Sequence, residues 1–371
     1  MKQSSRSRLL IVTFDPPTGP GGIEGRTNAY AGCLVRRGIH VEVAAILNVK
    51  NSSAEPYQGT RLIRLPSSLA YLPRTVSSLI RTISSSALDD VFFLSGGATA
   101  TGVLVIGFSR LTGRKCGVFF YGRDILQARN RPGRGIFLLL SMLLAGRVAT
   151  NSRYTAGLLP FSPRRRPVVI YPGVDPGMAE GLPTPNPDET RPRILFVGRL
   201  VKRKGADLLL VAFRQLRSRF PGSRLDVVGD GPELGDLRKL AQTLRLGDSV
   251  TFHGALDGAE LRERYARASV LVMPSRESRE DVEGFGTVFL EAGVFGVPSV
   301  GTRTGGIPEA IIEGVTGRLV DGGDVEALKN AIQDLLTDPL ELHRLGENAR
   351  ARAAKFTWNA STEQVLQLFR D

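Results

Sequence analysis

The chain has 371 residues with 49 Lys+Arg against 36 Asp+Glu, and its 42% hydrophobic and 23% charged residues exclude disorder and suit two domains, each with its own core. Two cysteines, Cys33 and Cys116, exclude a disulfide framework or zinc ribbon and point to a reducing compartment, while His40, His253 and His343 are too few for a histidine-rich metal site. Residues 1–180 hold 23 Lys+Arg against 9 Asp+Glu and residues 181–371 hold 26 against 27, so the basic excess lies in the first half, where it is either a solubilising surface or the mark of an anionic partner: membrane, nucleic acid or phosphorylated substrate.

In chain order, Leu9 to Phe14 is a short apolar run of the kind buried on both faces of a parallel sheet. It is too short for a signal peptide and is followed by Asp15-Pro16-Pro17. The glycine turn Gly19-Pro20-Gly21-Gly22 leads into a helix through about Arg37, and Val41–Ile46 forms the next strand. Further strands are predicted at Val91–Leu94, Cys116–Phe120, Val148–Ala149 and Val168–Tyr171, with helices near 98–111, 134–145 and 153–159. The longest apolar run, Ile136 to Ala145, is broken by Ser141 and is about half the ~20 residues a membrane span needs. A cytoplasmic protein with at most peripheral membrane contact is expected.

From Pro172 to Pro192 six prolines interrupt the pattern, and residues 176–192 read as a linker. Alternation then restarts with strands at Ile194–Val197, Leu225–Val228, Val250–Phe252, Val270–Met273, Pro298–Val300 and Arg318–Val320. Helices fall near 206–219, 233–245, 259–267, Thr287–Phe295 and 308–313, followed by two more to about Lys355. The fold class is α/β: two Rossmann-like, doubly wound parallel-sheet domains facing a cleft.

Ligands of open parallel sheets lie beyond the carboxyl ends of the strands, where this chain places its glycines. Gly198-Arg199-Leu200-Val201-Lys202-Arg203-Lys204-Gly205 is a cationic loop between a strand and a helix. Arg199 offers a planar fork and Lys204 a point charge, a pair suited to a diphosphate, although such a loop can also be plain solvated surface. Glu283-Gly284-Phe285-Gly286-Thr287-Val288-Phe289-Leu290-Glu291 opens a helix whose first amides, at Gly286, Thr287 and Val288, are free to meet an anion. Glu291, one turn inside, has an apolar neighbourhood and can accept from two adjacent hydroxyls; Glu283 stays in the loop. Gly21-Gly22 permits close backbone approach to a ligand. Gly229-Asp230-Gly231-Pro232 imitates a dinucleotide fingerprint, but its proline and the turn position of Asp248 argue against a nicotinamide site. No strict Asp-x-Asp metal motif occurs, the nearest match being Asp281-Val282-Glu283.

Together these residues resemble retaining glycosyltransferases of the GT-B fold, family 4. The resemblance is strongest over 193–320, through the Gly198–Gly205 loop, Gly229-Asp-Gly-Pro232, Val250-Thr-Phe-His-Gly254, Pro274-Ser275, Glu283…Glu291, Gly296-Val-Pro298 and Gly305-Gly-Ile-Pro-Glu309. Gly21-Gly22, Ser152-Arg153-Tyr154, Pro172-Gly173-Val174-Asp175 and Phe356-Thr357-Trp358 extend it over nearly the whole chain. It implies an acceptor-binding domain over 1–175, joined by a C-terminal helix over 357–371, and a donor-binding domain over 193–356. It also implies that Arg199 and Lys204 neutralise the pyrophosphate of a nucleotide-sugar donor without a metal or other cofactor. By the same resemblance Glu291 binds ribose, and Glu283 with the following amides holds the sugar and leaving phosphate. Gly198, Phe285, Gly286, Thr287 and Val288 line the donor, and Gly21-Gly22 approach its phosphates.

One position departs from the family. Where members carry a His before Gly, this chain has Tyr121-Gly122-Arg123-Asp124. Tyr121 takes that position as a candidate catalytic residue beside Glu283, Arg199 and Lys204; it can hydrogen-bond a hydroxyl but is no cation near neutral pH, given a reference pKa of about 10, which leaves Arg123 to supply the charge. The string Asp281 to Gly286 is similar to the subgroup that mannosylates phosphatidylinositol-type acceptors. That likeness implies transfer of a hexose, mannose from GDP-mannose, to a lipid-linked or glycan acceptor at an anionic membrane. Candidate membrane-facing cations are Arg110, Arg114, Lys115, Arg129, Arg131, Arg134 and Arg164–Arg166. A UDP-sugar donor, a sugar-nucleotide epimerase, a catalytically silent relative and a nucleic-acid-binding protein remain as alternatives. The last lacks a recognition motif and has aromatics at only 7%.

Overall fold

In the computed structural model the chain separates into two compact units, Met1–Pro172 with Trp358–Asp371, and Gly173–Thr357. The structure describes residues 8–13, 22–47, 60–66, 72–85, 89–94, 98–131, 133–160, 166–182 and 191–370. In the first unit β1 (Arg8–Thr13), α1 (Gly22–Arg36), β2 (His40–Leu47), β3 (Arg61–Pro66), α2 (Leu72–Ser85), β4 (Asp90–Phe93) and α3 (Ala100–Leu111) are followed by β5 (Lys115–Phe120), α4 (Gly122–Asn130), α5 (Arg134–Leu144), β6 (Arg147–Thr150), α6 (Arg153–Leu158) and β7 (Val168–Val169). The strands form one parallel sheet in the order β3-β2-β1-β4-β5-β6-β7. Alternate β1 side chains point to opposite faces, and both faces are covered: Leu10 and Val12 join one core, Leu9 and Ile11 the other. This is why β1 reads as an unbroken apolar run.

The second unit runs β8 (Arg193–Val197), α7 (Ala206–Leu216), β9 (Arg224–Val228), α8 (Leu234–Thr243), β10 (Val250–Gly254), α9 (Gly258–Ala266), β11 (Val270–Val272), α10 (Thr287–Val294), β12 (Ser299–Thr302), α11 (Ile307–Ala310), β13 (Gly317–Val320), α12 (Val325–Thr337) and α13 (Pro339–Ala353). Its parallel sheet has the order β10-β9-β8-β11-β12-β13. Side chains cap the last two helices at their starts: Asp324 accepts from the Ala327 amide at 2.8 Å and Asp338 from the Glu341 amide at 3.0 Å. The second unit begins at Gly173, so residues 176–182, expected as linker, belong to it. A 3-10 turn at Pro176–Ala179 is held there by the Arg262 guanidinium, which donates to the carbonyls of Met178 and Glu180. Residues 183–190 of the expected linker lie outside the described residues.

The last helix, α14 (Trp358–Arg370), returns to the first unit. Trp358 meets Tyr30 of α1 edge-on at 5.6 Å, and the Tyr30 and Ser361 hydroxyls are 2.8 Å apart. Phe369 packs edge-on against Phe92 at 6.0 Å. Three elements go beyond the sequence expectation. β3 carries two arginines in six residues, α2 has Pro73 in its first turn, and α4 is a nine-residue, mostly polar helix starting on glycine. β3 and α4 show little of the apolar periodicity that betrays a strand or helix, whereas α2 carries Val76, Leu79, Ile80 and Ile83 at i, i+3, i+4 and i+7, a helical pattern legible in the sequence. Phe369→Ala is expected to cost the first unit about 3–5 kcal/mol, the usual range for removing a buried aromatic. A denaturation curve in which only the unit containing Trp358 loses stability is the check; an unchanged curve refutes the docking role of α14.

Candidate active site

The second sheet reverses direction between β8 and β11, with β9 and β10 beyond one and β12 and β13 beyond the other. Two loops leave the carboxyl ends of these neighbours at the reversal, the position where open parallel sheets bind ligands. The loop after β8 carries the cations, and the one after β11 leads to α10. Gly205 has φ +72°, and a Cβ there would strike the Pro274 carbonyl, so only glycine lets the first loop lie this close to the second. Arg276 adds a clamp: its guanidinium forks onto the Asp207 carboxylate at 2.9 and 2.8 Å and donates to the Lys202 carbonyl at 3.0 Å.

At the centre stands Glu283. Its Oε2 accepts from the Lys204 ammonium and from Arg203 Nη1 at 3.1 Å, while Arg203 Nε donates to Asp281 at 3.1 Å. The Lys204 and Glu283 side chains are 13% and 14% exposed, so this charge cluster is mostly withdrawn from water. Burial by itself would raise the Glu283 pKa, but the charges of Lys204 and then Arg203 outweigh it and hold the carboxyl at about 2. Burial also works against the Arg203 charge, and Glu283 and Asp281 more than compensate, raising its pKa. Glu283 is therefore a fixed carboxylate that accepts hydrogen bonds and cannot serve as an acid near neutrality.

Gly286 takes the left-handed conformation, φ +87°, and turns the chain into α10; a Cβ there would lie 2.7 Å from the Phe289 ring. The Thr287 and Val288 amides open the helix, where no preceding turn supplies acceptors. Phe285 is 1% exposed with its ring 5.9 Å from Phe356, so its side chain is core and only its backbone faces the loop. One turn on, Glu291 Oε2 accepts from the Tyr265 hydroxyl at 2.7 Å. Burial raises the Glu291 pKa, with the Tyr265 bond and the Lys204 charge opposing; burial and then Glu291 keep Tyr265 protonated. The two glutamates of this site thus respond oppositely to their surroundings.

Arg199 is exposed, and its guanidinium has no hydrogen-bond or ion-pair partner among the described residues. Gly198 follows β8 directly, with its amide donating to the Val228 carbonyl at 3.0 Å. The Gly229–Pro232 turn has a structural task, as the Asp230 carbonyl accepts from the Leu200 amide at 2.8 Å. His253 is occupied with Asp226 at 2.7 Å. Among the described residues no group of three His, Cys, Asp or Glu is placed to hold a metal.

In the first unit Tyr121 follows β5, is 5% exposed and lies 5.0 Å from the Phe119 ring. Its amide donates to Asp124 at 3.2 Å at the start of α4. Arg123, expected to supply the positive charge beside Tyr121, is exposed on α4; the guanidinium over the Tyr121 ring, 5.0 Å from its centroid, belongs to Arg26. Gly22 is the first residue of α1, and Gly21 lies outside the described residues. Sequence reasoning missed Arg203, Tyr265 and Arg26. A Lys-Arg-Lys run does not reveal which cation turns inward, and Tyr265 is one aromatic among the charges of α9, with no local sign that it meets Glu291.

A family model described as glycosyl transferases group 1 matches residues 182–352. The GDP-mannose-dependent alpha-(1-6)-phosphatidylinositol monomannoside mannosyltransferase of Mycolicibacterium smegmatis is 33% identical over 97% of each chain. The GDP-mannose-dependent monoacylated alpha-(1-6)-phosphatidylinositol monomannoside mannosyltransferase of Corynebacterium glutamicum is 28% identical over 98% of each. Among solved structures, sucrose-phosphate synthase from Thermosynechococcus elongatus shares the fold with TM-score 0.77 at 24% identity, over 98% of both chains. A glycosyltransferase from Rickettsia africae does so at 0.78 and 19%, over 99% of this chain and 98% of its own.

Glu283→Gln leaves Lys204 and Arg203 facing one another without their counter-charge. A loss of about 3–5 kcal/mol from the second unit is expected, as for other broken buried pairs. Lys204→Met keeps the Glu283–Arg203 pair and is expected to cost less. Equal losses in chemical denaturation would contradict the ranking.

Proposed function

The chain belongs to the glycosyl transferases group 1 family and is a hexosyltransferase of GT-B fold, and from that premise we propose that it moves mannose from GDP-mannose, with retention, to a phosphatidylinositol-type lipid acceptor. The observation that carries the donor reading is the cationic mouth at the β8/β11 reversal. Arg199 is unpaired there, Lys204 is held by Glu283, and the first amides of α10 lie in the loop that carries Glu283. A diphosphate suits such a mouth: guanidinium and ammonium neutralise it and helix amides receive its oxygens. Glu291, with one oxygen on Tyr265, keeps the other for the ribose hydroxyls.

In the reaction the bond from the sugar C1 to the β-phosphate oxygen breaks, and a bond from C1 to the acceptor hydroxyl oxygen forms on the same face. The acceptor proton passes to the departing phosphate. Arg199, Lys204 and the α10 amides stabilise the charge that collects on that phosphate, the contribution that usually dominates such catalysis. The ionised Glu283 accepts from sugar hydroxyls and fixes the ring. Tyr121, packed against Phe119 with Arg26 over its ring, is given no part in proton transfer. We further propose that these cations replace a metal ion. The full-length likeness to phosphatidylinositol mannosyltransferases supports a GDP-mannose donor over a UDP-sugar, and the comparisons favour neither the epimerase nor the nucleic-acid reading.

The acceptor reading draws on a face of the first unit. Leu104 and Leu111 of α3 and Ile136, Leu139, Leu140 and Leu143 of α5 are exposed, at i, i+7 and i, i+3, i+4, i+7 spacings on two helices that pack together. Exposed Arg110, Arg129, Arg131 and Arg134 border it, and neither helix contains a carboxylate. Apolar side chains ringed by arginine suit an anionic bilayer, each cation adding about 1 kcal/mol. No helix among the described residues is long and apolar enough to cross it.

GDP at about 100 times its Kd should stabilise the protein by roughly 2.7 kcal/mol, with UDP and ADP far weaker and EDTA without effect on turnover. Because the Glu291 pKa is raised and that of Glu283 lowered, acidification protonates Glu291 first. The donor KM is expected to rise as pH falls, and Glu291→Gln to flatten that rise; a profile identical in both proteins rejects Glu291 as the ribose ligand. On the membrane side, Leu139→Glu with Leu143→Glu should release the enzyme from phosphatidylinositol vesicles in a flotation assay while leaving GDP binding intact. Undiminished flotation would count against this face.

A further inference from the structure

Among the described residues Arg26 is the least exposed lysine or arginine, at 7%. Its Nε and Nη1 are sealed from solvent and have no hydrogen-bond partner, and no carboxylate pairs with it. The inward-turned Arg203, by contrast, sits between two carboxylates. A buried guanidinium whose Nε and Nη1 meet no acceptor is a costly arrangement, and folded proteins keep unpaired buried charge chiefly where something else completes it.

Its placement says where the completing group belongs. Arg26 reaches from α1 to the ring of Tyr121, the residue immediately beyond β5. The neighbouring strand pairs Thr150 with Phe120, so Asn151 follows beside Tyr121 at the same edge of the sheet. Asn151 is 3% exposed, and its Oδ1 is also sealed without a hydrogen bond. A planar donor fork and an orphaned amide acceptor therefore stand at the carboxyl ends of neighbouring parallel strands, the ligand-binding edge of this sheet class. The cation–π contact with Tyr121 takes up none of the guanidinium N–H donors, and Nε and Nη1 remain for an anion.

We propose that Arg26 binds a phosphate oxyanion, with Asn151 accepting from a hydroxyl beside it, as a substrate subsite of the first unit; the assignment rests on the transferase reading above. Two substrates offer that chemistry, the phosphodiester of a lipid headgroup and the diphosphate of the donor. Arg26 thereby supplies the charge that Tyr121 lacks and that Arg123 is too exposed to provide.

The full chain is first saturated with GDP and then titrated with inorganic phosphate, following the melting temperature. The wild type is expected to gain further stability from phosphate if the site takes the acceptor's phosphate, and to gain none if the GDP diphosphate already fills it. Arg26→Met should melt higher than wild type without ligand, because an unpaired charge has gone, and should lose the phosphate gain. Arg26→Lys, which keeps the charge without the fork, should retain part of that gain and serves as the second variant if Arg26→Met does not fold. A phosphate response that disappears with GDP affinity unchanged assigns the acceptor's phosphate, whereas GDP affinity falling tenfold or more assigns the donor's. If Arg26→Met melts lower and both responses survive, Arg26 is a packing residue and the proposal fails. Absence of any GDP response in the wild type counts against the nucleotide reading instead, and leaves the phosphate titration still legible.

Discussion

The geometry of the second unit's site turns on one carboxylate. Glu283 ties the cationic loop after β8 to the loop after β11, and it can do so because those strands are neighbours at the reversal of the sheet. Without it, Lys204 and Arg203 would repel one another in a mostly buried pocket. With it, each cation has a fixed position and the carboxyl stays ionised down to about pH 2. Its contribution to stability is complete above the ordinary value of 4.5 and is lost only as pH falls toward the depressed one. Gly205 and Gly286 serve this contact, the first by admitting the loop against Pro274 and the second by turning the chain into α10.

Charge in the first unit is divided between structure and surface. Lys115 and Arg147 donate to the carbonyls of Phe369 and Leu368 at the carboxyl end of α14, where cations are favoured by the helix dipole and by unsatisfied acceptors. Arg114 likewise holds the Ile83 carbonyl at the end of α2. Arg114 and Lys115, expected to face the membrane, make these structural bonds, while Arg110, Arg129, Arg131 and Arg134 lie exposed on or next to α3 and α5; Arg164 and Arg165 lie outside the described residues. The basic excess of the first half is thus partly an internal fastening and partly a border around exposed leucines.

Much of the architecture was legible because doubly wound sheets impose a simple pattern: strands buried on both faces are continuous apolar runs, and β1, β5, β8 and β11 all show one. What escaped notice lacked that signature. β3 pairs only through β2 and tolerates arginine, and α4 is too short and polar to display a periodic face. The candidate site was legible in the same uneven way. Arg199, Lys204, Glu283 and Glu291 were recognisable as residue types in ordered spacing. Phe285 carries a motif position yet contributes its ring to the core.

The amino-acid sequence by itself determined that this is a two-unit parallel α/β protein with a cationic loop and a paired-glutamate helix, since strand burial and helix starts are local matters of composition and spacing. Only the tertiary structure decided which charges are paired. Arg203 and Lys204 differ by one position but share Glu283, which is about 80 residues away in the chain. Arg26 rather than Arg123 came to rest on Tyr121 for the same kind of reason: the order of strands brings distant loops to a common edge, and no local pattern records which side chain arrives there.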